Sequence, residues 1–73
     1  MSYNPEGQSL VLKELLRLGG KVPYVRLCER LVYPDVRLTD YAVLEKEGFI
    51  QYRGGSYVLT KEGDSEARKL VKS

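Results

Sequence analysis

Twelve Lys/Arg, ten Asp/Glu and six tyrosines, set against no histidine and one cysteine, bound the chemistry open to this 73-residue chain. Without histidine, the usual general base and the commonest metal ligand are missing. Cys28 alone can form neither an internal disulfide nor a multi-cysteine zinc site, which is compatible with a reducing compartment. Carboxylates are plentiful, but no pattern pairs them in a cleft. Gly19-Gly20 and Gly54-Gly55 are too short to cradle a phosphate. No catalytic residue, metal or cofactor is therefore expected. What remains is recognition by cations, hydroxyls and aromatic rings. The net charge is only +2, so what matters is whether the positive charges share a face.

The elements that must position these groups can be read from spacing and punctuation. Asn4-Pro5-Glu6 opens a helix, with Asn as cap, Pro at the first position and Glu at the positive end of the dipole. Val11, Leu12, Leu15, Leu16 and Leu18 give that helix (about 5–18) one apolar stripe, and Lys13, Glu14 and Arg17 take its other side. Gly19-Gly20 stops it. Lys21-Val22 suits one very short strand before Pro23, which begins a second helix over about 23–32. There Tyr24, Leu27, Cys28 and Leu31 form the apolar face, and Arg26, Glu29 and Arg30 the polar one. Pro34 ends it at Tyr33. Asp35 caps a third helix (about 36–47), with Leu38, Tyr41 and Leu44 turned inward and Gly48 as its stop.

Two short strands follow, Phe49–Arg53 and Ser56–Leu59, joined at Gly54-Gly55. Glycines between aromatic and β-branched residues signal a hairpin, because its tight turn needs positive φ. Thr60 caps a last helix (about 61–71) with Ala67, Leu70 and Val71 as a short apolar stripe. Residues 1–73 are thus expected to form one α+β domain, since elements this small can share only one core. No apolar run approaches the roughly 20 residues needed to span a bilayer, and Met1–Glu6 does not resemble a signal peptide.

Leu44-Glu45-Lys46-Glu47-Gly48-Phe49-Ile50, followed by Tyr57-Val58-Leu59-Thr60-Lys61-Glu62-Gly63, resembles the winged helix-turn-helix family. It is similar to the MarR-, PadR- and ArsR-type regulators of prokaryotes and their viruses. The resemblance covers about residues 9 to 63. It implies a three-helix winged helix-turn-helix with a two-stranded β-hairpin wing and a C-terminal helix. The short Gly54-Gly55 turn departs from the family's longer wing. Tyr33-Pro34-Asp35 departs from its small-residue turn between helices 2 and 3.

On this resemblance the partner is double-stranded DNA, and the third helix enters the major groove with its N-terminal part. Arg37, Thr39 and Asp40 would then meet base edges. Arg can bridge guanine O6 and N7, Thr can donate or accept, and Asp can accept from cytosine N4 but repels phosphate. Arg53 at the hairpin, and Lys21, Tyr24 and Arg26 around the start of the second helix, would hold the backbone. Lys46, at the far end of the recognition helix, is a weaker candidate. The plain alternative for Arg37, Asp40 and Arg53 is a solvated surface charge.

Tyr41, Tyr52 and Tyr57 fall on core or sheet positions, which suits packing better than base stacking, and Tyr3 and Tyr33 take no assigned place. Cys28 is expected to be buried. Leu10, Ala67, Leu70 and Val71 would make a homodimer interface that offers two recognition helices to a palindromic site; the alternative is that the last helix folds back on its own core. The expected function is that of a small cytoplasmic regulator acting by operator occupancy, with no small-molecule ligand evident. The alternative is a winged-helix module for protein contacts, supported by Asp35, Asp40, Glu45 and Glu47.

Overall fold

In the computed structural model, which describes residues 5–32 and 35–72, the order is α1 (Pro5–Arg17), β1 (Lys21–Pro23), α2 (Tyr24–Arg30), α3 (Leu38–Lys46), β2 (Ile50–Arg53), β3 (Ser56–Leu59) and α4 (Lys61–Lys72). The result is a small α+β arrangement of four helices and a three-stranded antiparallel sheet ordered β1-β3-β2. Among the described residues, no helix is long and apolar enough to cross a membrane.

The apolar stripe of α1 drives the assembly. Val11, Leu12 and Leu15 are buried with Leu27 from α2, Leu44 from α3 and Ile50 from β2. Burying a Val or Leu side chain stabilises by about 1.5–3 kcal/mol, so this stripe outweighs any single polar contact in the fold. The expectations for Asn4 and for Tyr33-Pro34 fall outside the described residues.

The hairpin gains a third strand. Lys21–Pro23 pairs with β3 in the register Lys21↔Val58, Val22↔Tyr57 and Pro23↔Ser56. On the far side Ile50 pairs with Leu59 and Tyr52 with Tyr57. The turn itself requires glycine, since Gly54 and Gly55 take φ of 54° and 82°, a region costly for other residues. Side chains alternate across a strand. Val22, Tyr57 and Ile50 therefore face the helices, and Lys21, Gln51, Val58 and Arg53 occupy the outer face.

Thr60 joins the C-terminal end of α3 to α4. Its Oγ1 accepts the Gly63 N–H at 3.0 Å, the helix cap read from the sequence, and donates to the Gly48 carbonyl at 2.5 Å. Gly63 is required by close approach: a Cβ there would lie 1.8 Å from the Phe49 carbonyl oxygen. That contact seats α4 on the start of β2 and brings Ala67 into full burial.

Three expectations about the helices are corrected. Asp35 does not cap α3; the cap is Arg37, and Val36 is buried just ahead of it. Leu38, assigned inward, is 71% exposed, because the buried side of α3 is centred on Asp40, Tyr41 and Leu44 and Leu38 lies off that arc. Cys28, assigned to the core, is exposed, because α2 turns only Leu27 fully into the core. The short helix leaves one side of its predicted apolar face uncovered.

Candidate nucleic-acid interface

Helix α3 has two faces set by its packing. Asp40, Tyr41 and Leu44 are buried, and Leu38, Thr39, Ala42, Glu45 and Lys46 are exposed. The first turn is held by an internal acceptor: the Asp40 carboxylate takes the backbone N–H of Arg37 at 2.8 Å. An N–H at a helix start has no partner within the helix, and the third helical residue reaching back is one of the ways to supply it. Asp40 is wholly buried, so it is not the base-reading side chain that its sequence position suggested. Its removal from the surface leaves Glu45 as the exposed carboxylate of α3, and Glu45 accepts the Tyr57 hydroxyl at 3.2 Å.

The start of α2 and the hairpin tip lie together. The Tyr24 N–H donates to the Gly55 carbonyl at 2.9 Å, which engages the first amide of α2 and takes it from any phosphate. The Tyr24 ring packs edge-on against Tyr41 at 5.9 Å and Tyr57 at 6.0 Å. Tyr57 in turn stacks on Tyr41 at 5.1 Å and meets Tyr52 edge-on. Such aromatic pairs contribute about 0.5–1.5 kcal/mol each beyond burial. This cluster fixes α2, α3 and the hairpin relative to one another.

Tyr41 and Tyr57 are packing residues, as their spacing indicated, whereas Tyr52 lies on the sheet but half exposed. Burial, with the Glu45 carboxylate beside it, pushes the Tyr57 hydroxyl up to about 12. Burial pushes Tyr41 higher still, with Cys28 the next contributor. A hydrogen bond to Cys28, followed by burial, raises Tyr24.

The remaining candidates separate into two groups. Arg37 and Thr39 stand exposed at the start of α3, and Arg26 is exposed on α2. Lys21 and Arg53 share the outer face of the sheet, on the side away from the tyrosines. Neither Arg26 nor Arg53 has an ion-pair partner among the described residues, whereas Arg30 is tied with Arg17 to Glu14. Those two guanidiniums, the Arg17 hydrogen bond first, hold the Glu14 carboxyl below its usual range.

The proposed dimer residues do not form one surface. Ala67 is fully buried within the protein's own core and Leu70 is partly packed against it, while Leu10 and Val71 are exposed. The last helix folds back onto α1, which removes Ala67 from any interface.

An apolar groove of about 650 Å³ runs between α2 and α3, with Tyr24, Cys28, Leu31, Val36, Leu38 and Tyr41 among its walls. Sequence reasoning missed it because periodicity assumes that facing apolar stripes meet. The available signal was the apolar surplus of two short helices around Val32 and Leu38. No protein-family model, curated protein or solved structure matches the chain.

Proposed function

We propose that the chain is a winged-helix domain that binds double-stranded DNA through the N-terminal half of α3, acting as a small regulator by occupying an operator. The observation that carries this reading is the inward turn of Asp40. It leaves Arg37, Leu38, Thr39 and Ala42 as an acid-free leading face, which can approach phosphates without like-charge repulsion. Arg37 and Thr39 then read base edges in the major groove. Arg26 and Arg53 supply phosphate contacts on either side, and Lys21 extends the basic outer face of the sheet.

A homodimer on this reading uses Leu10 and Val71, the two members of the expected interface that remain exposed. A second reading, docking of a protein partner, is favoured by the exposure of Val25, Leu38 and Tyr52. Selection of bound sequences from a random duplex pool tests the first reading. It yields an enriched motif if α3 reads bases, palindromic if the protein acts as a dimer. Failure to enrich any sequence contradicts the DNA reading and leaves the exposed apolar side chains as the functional surface.

A further inference from the structure

We propose that the tyrosine-lined pocket between α3 and the hairpin is a binding site for a trimethylammonium group. The pocket, about 280 Å³, is walled by Tyr24, Tyr41, Tyr52 and Tyr57, and Leu38 and Glu45 complete it. A volume this small suits a head group rather than a large ligand. It shares Tyr24, Leu38 and Tyr41 with the larger apolar groove, and differs from it in holding a carboxylate and two further rings.

The rings are arranged at steep angles. Tyr24 and Tyr52 each stand at 62° to Tyr57, with centroids 6.0 and 5.1 Å from it. Tyr41 and Tyr57 are almost wholly enclosed, whereas Tyr24 is half-buried and Tyr52 is 52% exposed. Tyr24 and Tyr52 are therefore the rings open to a ligand, and an aromatic ring attracts a cation held over its face.

Glu45 supplies the charge. Its carboxylate accepts the Tyr57 hydroxyl at 3.2 Å, which ties it to the ring cluster, and it forms no ion pair among the described residues. No Lys or Arg is among the described residues that line the pocket. The walls thus complement a positive charge, and they select its kind. A metal ion needs several oxygen ligands, and no group of three acidic or thiol side chains stands together among the described residues. A primary ammonium brings three donors that each need an acceptor, against one carboxylate on these walls. A trimethylammonium has no N–H to satisfy, and it offers methyl groups to the rings while keeping its charge. The site does not rest on the DNA reading, with whose surface it shares only Leu38.

Amide chemical-shift titration of the full chain, without DNA and at constant ionic strength, tests the site with choline. The control is its neutral carbon analogue dimethylbutanol, in which a tert-butyl group replaces the trimethylammonium. Choline is expected to shift the amides around Leu38, Glu45, Tyr52 and Tyr57 saturably, and to bind about tenfold more tightly than the analogue. Glu45→Gln, which keeps an acceptor for the Tyr57 hydroxyl, weakens choline about two- to fivefold and leaves the analogue unchanged. Tyr52→Leu weakens choline by a similar factor, and Tyr52→Phe, which restores a ring, does not. A short neutral peptide with one trimethyllysine identifies the source: binding tighter than choline assigns the group to a modified side chain, and equal or weaker binding to a free molecule. The proposal is overturned by shifts that do not saturate, by an analogue that binds as tightly as choline, or by choline affinity unchanged in Glu45→Gln or Tyr52→Leu.

Discussion

The carboxylate of Asp40 accepts the backbone N–H of Arg37 at 2.8 Å from a fully buried position. Two residues that could both have met DNA are thereby given different tasks. One closes the start of α3 from inside, and the other is left at the surface. Asp40→Ala is expected to lower stability by about 1–2 kcal/mol, the usual cost of losing a cap. Asp40→Asn retains an acceptor and recovers most of that loss. Urea denaturation of both variants measures it. Equal stability of Asp40→Ala and the wild type would contradict the capping role.

Gly63 gives a steric prediction. A Cβ there would stand 1.8 Å from the Phe49 carbonyl oxygen, a distance that only movement of α4 or of the β2 start can relieve. Gly63→Ala is expected to cost about 2 kcal/mol or more, as overpacked sites do. Ser65→Ala, on the exposed side of the same helix, should be neutral or slightly stabilising, because alanine is the better helix former. Thermal denaturation of the pair separates packing from propensity.

Stability should also fall in strong alkali. Tyr57 is raised from near 10 to about 12, and Tyr41 is raised in the same direction. Well below pH 10 both hydroxyls are neutral in folded and unfolded chains alike, so nothing is lost there. As pH rises from 10 towards 12, the unfolded chain ionises first and is favoured. Denaturation midpoints should be level up to about pH 10 and fall beyond it, with a smaller fall in Tyr57→Phe. A flat profile to pH 12 would show that these hydroxyls are not shielded.

The basic residues predict different effects on DNA. Arg26→Ala and Arg53→Ala should weaken specific and random duplexes alike, each reducing the salt slope by about one. Arg37→Ala should weaken the specific site by more than it weakens random DNA. Equal loss on both would remove Arg37 from base reading.

The helix order, the Gly54-Gly55 turn and the Thr60 cap were legible in the sequence because each rests on local chemistry. The site was less so. The face that Asp40 takes depends on which residue caps α3, and Asp35 and Arg37 lie only two positions apart. Leu38 and Cys28 satisfy helical spacing, yet spacing does not say how closely two helices meet. Ala67 is apolar at the right interval for either a partner's surface or the protein's own, and only its packing under α1 decides between them.

The most direct test of the central claim is fluorescence anisotropy of a labelled duplex, titrated with the protein across a range of salt concentrations. Saturable binding is expected at low salt, with affinity that falls linearly and steeply on a double-logarithmic plot as phosphate contacts are screened. Absence of binding at low salt, or affinity indifferent to salt, would contradict it.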